Sequence, residues 1–140
     1  MATKTILMLE DDSDRLARFE IVISQIDPEI RLIQWRNAHR MIREAAQYLP
    51  SCNLICLDHD LEPEPRESDP GDGLDVARFL AEQRPVCPIL IHSSNGDRVR
   101  RMVGVFELVD IQSQTILPLG ADWIERYWRK RVEGLLVSST

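Results

Sequence analysis

The chain has 140 residues, 44% of them hydrophobic and 29% charged, with a formal net charge of −6. That length and balance fit one compact domain spanning residues 1–140. The acidic excess argues against a general nucleic-acid-binding surface, which needs surplus Lys and Arg to neutralise phosphates, and no apolar segment has the length of a membrane span.

Met1-Ala2-Thr3-Lys4 runs straight into the apolar Ile6-Leu7-Met8-Leu9, without the longer apolar stretch and cleavage site of a secretory signal, so the expected location is cytoplasmic with no membrane partner. This first strand gives onto Glu10-Asp11-Asp12. Ser13 or Asp14 is then placed to cap a helix whose apolar positions Leu16, Phe19, Ile23 and Ile26 share one face, ended by Asp27-Pro28. A second strand is predicted from Ile30 to Trp35, and a helix from Ala38 to Tyr48 stops at Pro50. The third strand, Asn53-Leu54-Ile55-Cys56-Leu57, closes on Asp58-His59-Asp60.

From Glu62 to Gly73 the composition changes to Pro63, Pro65, Pro70, several acids, Gly71 and Gly73, with no periodicity; this reads as a long surface loop. A helix from Leu74 to Gln83 turns Leu74, Ala77, Phe79 and Leu80 inward. The fourth strand, Pro88 to Ile91, gives onto His92-Ser93-Ser94-Asn95 and then onto a polar, basic helix that starts near Asp97 and carries Arg98, Arg100 and Arg101. Phe106–Ile111 is the favoured fifth strand, with Thr115–Leu117 the alternative. The last helix opens near Gly120-Ala121-Asp122 and presents Ile124, Trp128, Val132 and Leu135 as a core-packing stripe flanked by Trp123 and Tyr127. Arg126, Arg129, Lys130 and Arg131 form its solvated face. Cys52, Cys56 and Cys87 are odd in number and lack paired Cys-x-x-Cys spacing, so they are expected as buried reduced thiols.

Short apolar runs alternating with helical segments indicate an α/β fold with a parallel sheet covered on both faces. In such sheets ligands bind outside the carboxyl ends of the strands, so the three polar run ends are expected to converge there. Glu10, Asp11, Asp12, Asp58 and Asp60 in one pocket would repel one another, and a divalent cation offsets that repulsion. Hard oxygen ligands favour Mg²⁺, with Mn²⁺ as a substitute. Helix capping and a solvated turn are the plainer readings of the same acids. Two of the three histidines, His59 and His92, fall on this edge, whereas His39 lies on a polar helix face.

These residues resemble the receiver domains of two-component response regulators across nearly the whole chain. The resemblance lies in Ile6-Leu7-Met8-Leu9-Glu10-Asp11-Asp12, Leu54-Ile55-Cys56-Leu57-Asp58, Gly73-Leu74-Asp75-Val76 and Pro88-Ile89-Leu90-Ile91-His92-Ser93-Ser94. It implies a flavodoxin-like, doubly wound, five-stranded parallel sheet. It also implies a metal site at Glu10, Asp11, Asp58 and the backbone carbonyl of Asp60, with Asp58 as phosphoacceptor and Ser93 as the hydroxyl of strand four. Receivers place a lysine near the end of strand five, yet the only lysines here are Lys4 and Lys130.

A narrower resemblance is to the cyclic-phosphate-processing receiver domains, through Leu9-Glu10-Asp11 with Arg15, Asp58-His59-Asp60-Leu61 and His92-Ser93-Ser94-Asn95. It implies a metal-dependent phosphodiesterase acting on a phosphorylated small molecule or a nucleic-acid end. Opening a cyclic phosphodiester needs a base, an acid and positive charge on the phosphoryl oxygens. His59, His92 and Asp58 are the candidate catalytic residues, since imidazole exchanges protons near neutrality. Ser93 and Asn95 are the candidate phosphate donors. The alternative is a divergent receiver phosphorylated on Asp58 by a partner histidine kinase, and a third possibility is a phosphorylation-independent binding module.

Overall fold

The structure, a computed structural model, describes residues 3–61 and 69–138. Five parallel strands are joined by helices in the order β1 (Thr5–Leu9), α1 (Ser13–Ile26), β2 (Arg31–Trp35), α2 (Ala38–Glu44), β3 (Leu54–Asp58), α3 (Gly73–Gln83), β4 (Ile89–His92), α4 (Gly96–Glu107), β5 (Ser113–Ile116) and α5 (Arg129–Ser138). Two 3₁₀ turns, Ala45–Gln47 and Leu49–Ser51, extend the end of α2. The strand order is β2-β1-β3-β4-β5, so the flavodoxin-like receiver topology expected from the sequence is the one observed.

Strand alternation explains why both faces are covered. Leu7, Leu9, Ile55, Leu57, Ile89 and Ile91 point to one side, where Met41, Leu80, Met102 and Phe106 of α2, α3 and α4 cover them. Ile6, Met8, Leu54, Cys56 and Leu90 point to the other, against Phe19 and Ile23 of α1 and Val132 of α5. The helices that follow β1 to β4 begin on a side-chain cap: Asp12, Asn37, Asp72 and Asn95 each accept a backbone N–H of the first turn. For α1 the cap is thus Asp12 rather than Ser13 or Asp14.

Three further expectations are corrected. The fifth strand is Ser113–Ile116, and Phe106 belongs to α4, because Val99, Met102 and Phe106 recur at helical spacing on its buried face. As one of the two edge strands of the sheet, β5 buries only Ile116, which leaves it with a weak apolar signature. Trp123 is buried rather than flanking: a π-helical turn, Ile124–Trp128, precedes α5 and brings residues five apart onto one face, so Trp123 and Trp128 both point inward while Tyr127 stays exposed. Finally, Cys52 and Cys87, entering the adjacent strands β3 and β4, are paired as a disulfide with Cα atoms 6.3 Å apart. Their separation of 35 residues gave no hint of it. Cys56 is a free, buried thiol as expected.

Much of the long proline-acid loop, residues 62–68, lies outside the described residues. Its end packs on α2, where Pro70 is buried and its carbonyl accepts the Ala38 N–H at 2.8 Å.

Candidate functional site

Register builds the site. Leu9 pairs with Leu57, so Glu10, one residue beyond β1, falls level with Asp58 at the end of β3, and Asp58 pairs with His92 at the end of β4. Three polar side chains therefore stand in one row across three adjacent strands and leave the sheet on one face. All three are buried, at 0%, 3% and 1% exposure, and one ligand atom from each lies within 4.8 Å of the others.

Glu10 is saturated by protein donors. Its Oε2 accepts the backbone N–H groups of Asp11 (3.0 Å) and Asp12 (3.1 Å) and Nη2 of Arg15 (3.1 Å). Its Oε1 lies 2.9 Å from His92 Nε2 and 3.0 Å from Arg15 Nε, the latter an ion-pair contact whose N–H is not aligned on the oxygen. Burial works to raise the Glu10 pKa. The hydrogen bond and charge of His92, the charge of Arg15 and the Asp12 N–H outweigh it and hold Glu10 down to about 2. An ionised acceptor of this kind assigns the proton of that contact to His92 Nε2. His92 Nδ1 has no hydrogen-bond partner, and the ring lies against Phe19 and Trp123 at centroid distances of 5.1 and 5.8 Å.

Asp58 is in the opposite condition. Burial and the neighbouring charge of Glu10 push its carboxyl up to about 9, against the pull of Arg15, and Asp11 adds to the rise. Its contact with Arg15 is longer, with Nη2 3.4 Å from Oδ2. Two adjacent carboxyl groups are thus driven apart, one ionised throughout the physiological range and the other holding its proton, as occurs in sites that handle charge or protons.

The other expected site residues divide. Ser93 is buried one residue beyond β4, with Oγ accepting the Asn95 N–H at 3.2 Å. The side-chain oxygen of Asn95 caps α4 by accepting the Arg98 N–H at 3.2 Å, a structural use of the residue expected to bind phosphate. His59 is buried beside the row but outside it, turned to the start of α3: its Nδ1 lies 2.7 Å from Asp60 Oδ1, and its Nε2 is 3.7 Å from Asp72 Oδ2 without a hydrogen bond. The two imidazoles expected on this edge have separate partners, Asp60 for His59 and Glu10 for His92. The Asp60 carboxylate is largely exposed on His59 rather than in the row. Gly73 closes this side, because its N–H donates to the His59 carbonyl at 2.9 Å and a Cβ there would stand 2.3 Å from the Asp58 carbonyl oxygen.

The residue that sequence reasoning undervalued is Arg15. A cation in the first turn of a helix opposes the helix dipole, and that misfit was the available signal that Arg15 serves something other than α1.

The family model described as Cyclic-phosphate processing Receiver domain matches residues 5–108, well over half of the chain. The chain belongs to this family. Solved receiver structures share its fold at low identity. The response regulator domain of Thermotoga maritima CheB has a TM-score of 0.67 at 11% identity, covering 99% of this chain and 96% of that one. A response regulator receiver domain protein from Clostridium thermocellum has a TM-score of 0.67 at 12%, covering 97% and 93%. A chain of the CheX-CheY-BeF3-Mg complex from Borrelia burgdorferi has a TM-score of 0.65 at 13%, covering 96% and 87%. No curated protein matches the chain. Among the described residues of this receiver domain, no helix is long and apolar enough to cross a membrane.

A divalent cation fits the donor set. Glu10 has its oxygens occupied by donors, but Asp58 meets Arg15 only at 3.4 Å and shares a hydrogen bond with the Glu10 carboxylate, and its raised pKa marks a carboxyl that lacks compensating charge. Asp11, whose charge reaches Asp58, is partly exposed on the same rim. Asp58 and Asp11 are carboxylates of the hard oxygen kind that Mg²⁺ or Mn²⁺ takes.

Proposed function

We propose that this receiver domain binds and processes a phosphoester, with a cyclic phosphate on a small molecule or a nucleic-acid end as the substrate class. The observation that supports this reading most is the row Glu10, Asp58, His92: a buried imidazole on a buried carboxylate, beside a second carboxyl that is protonated until a cation or substrate changes its field. When bound, Mg²⁺ or Mn²⁺ supplies positive charge for the phosphoryl oxygens. Asp11, Asp58 and the Asp60 carbonyl would hold it.

The remaining chemistry belongs to side chains. With Nδ1–H donated to Asp60, His59 keeps Nε2 for a proton and is the proposed base. His92 fixes Glu10, which in turn fixes Arg15, and so acts as a positioning residue rather than at the reacting atoms. Ser93 and the Asn95 amide nitrogen are the proposed hydrogen-bond donors to phosphate.

The test is hydrolysis of a 2′,3′-cyclic nucleotide in Mg²⁺ or Mn²⁺, followed by phosphorus NMR. Turnover that disappears in His59→Ala and Asp58→Asn supports the proposal. The second reading, phosphoacceptor signalling to a histidine kinase, rests on the position of Asp58 at the end of β3 in a receiver fold. Stable acetyl-phosphate labelling of Asp58, with no cyclic-nucleotide turnover, would establish that reading in place of the first.

A further inference from the structure

A phosphoryl group approaching Asp58 enters a pocket of carboxyl groups and needs a cation of the protein's own beside any metal. The lysines do not supply it. Lys4 donates to the Leu136 carbonyl at 2.6 Å, and Lys130 lies on α5 in a groove beside Gln114 and Leu117. Among the described residues, Arg15 is the cation in contact with both Glu10 and Asp58.

Its attachment is directional. The Nε–Nη2 edge of the guanidinium lies along the Glu10 carboxylate, at 3.0 Å to Oε1 and 3.1 Å to Oε2. The neighbouring Nη1–Nη2 edge is left toward Asp58, where the single contact is 3.4 Å. The anchor is rigid: Glu10 is fully buried and held by His92 and two backbone N–H groups, and Asp12 accepts the Arg15 backbone N–H at 3.0 Å. The Arg15 side chain keeps 29% exposure, against 0% and 4% for its partners Glu10 and Asp58, so the cation is the accessible member of the three.

We propose that Arg15 is the phosphate-binding side chain of this site, a guanidinium held by Glu10 along one edge and presenting the other as a two-pronged donor to phosphoryl oxygens beside Asp58. Planar forks of this kind bind phosphate through paired N–H donors, and one already fixed by a carboxylate loses little freedom on doing so. The inference rests on the phosphoester reading of the site but names the group that recognises the anion, whether or not the ester is opened.

The experiment titrates wild type, Arg15→Gln and Arg15→Lys with inorganic phosphate at fixed Mg²⁺ by calorimetry, with intrinsic tryptophan fluorescence, to which Trp123 beside His92 contributes, as a second readout, and checks each protein by thermal melting. Arg15→Gln should weaken binding about tenfold or more, the loss expected for a charge-assisted contact. Arg15→Lys, which keeps the charge and loses the fork, should fall between. Unchanged phosphate affinity in Arg15→Gln, with only a lower melting temperature, would make Arg15 a structural counter-ion and overturn the proposal. So would the absence of saturable phosphate binding by wild type. If Arg15→Gln does not fold, Arg15→Lys decides: affinity equal to wild type counts against the fork. Arg15-dependent phosphate binding without cyclic-nucleotide turnover would sink the enzymatic reading and leave this inference standing.

Discussion

The strand pair β3–β4 is held by opposite chemistry at its two rims. At the amino rim Cys52 and Cys87 tie the entering chain by a covalent bond, among buried neighbours and with no ionisable group taking part. At the carboxyl rim the same strands end in Asp58 and His92, and with Glu10 they form a row whose order depends on protons and on Arg15. The sheet is thus tied covalently where it carries no chemistry and by titratable contacts where it does. A reductant should act on the first rim, and pH and cations on the second.

The largest expected effect is on the covalent rim. Closing a loop of this length contributes about 4 kcal/mol in the chain-entropy account, so reduction, or Cys52→Ser with Cys87→Ser, should lower stability by about that amount in urea melts. Phosphate and cation affinity should be unaffected. A loss of affinity on reduction would break the division between rims.

Next comes His92→Ala, which removes a hydrogen bond to a buried charge and leaves space beside Phe19, at an expected cost of about 3 kcal/mol. His59→Ala should cost only about 1 kcal/mol, because its partner Asp60 is largely exposed. The two imidazoles can thus be ranked by melts alone, and equal losses would contradict the separation of His59 from the row.

The pH dependence sharpens the contrast. Native Asp58 holds its proton to about 9, whereas an unfolded aspartate loses its proton near ~4. Its contribution is therefore complete below about pH 4 and declines as pH rises toward 9. Glu10 runs the other way: held down to about 2, it contributes above about pH 4, and that stability is lost as pH falls through 2. Asp58→Asn should flatten this decline between about pH 4 and 9, as followed by denaturation midpoints. If Asp58 holds the proposed Mg²⁺, the cation displaces its proton, and affinity should rise up to about tenfold per pH unit below 9, measured by calorimetric titration. A pH-independent affinity would remove Asp58 from the cation site.

Apolar alternation and turn residues made much of this molecule readable in one dimension. The runs Ile6–Leu9, Leu54–Leu57 and Ile89–Ile91 could pack only as buried strands, and the acids and histidines that close them could only stand at one rim of a parallel sheet. The edge strand β5 buries too little to need apolar residues, so Thr115–Leu117 reads only as the alternative to Phe106–Ile111, and Trp123 reads as flanking because a π-helical turn shifts the period there. What the tertiary structure alone decided is which of the rim groups touch. Register set Glu10, Asp58 and His92 level, the turn after β3 carried His59 away toward Asp72, and the first turn of α1 brought Arg15 back onto Glu10. Composition and spacing fix what a side chain can do. Contacts across strands depend on register and on side-chain direction, which only the folded chain specifies.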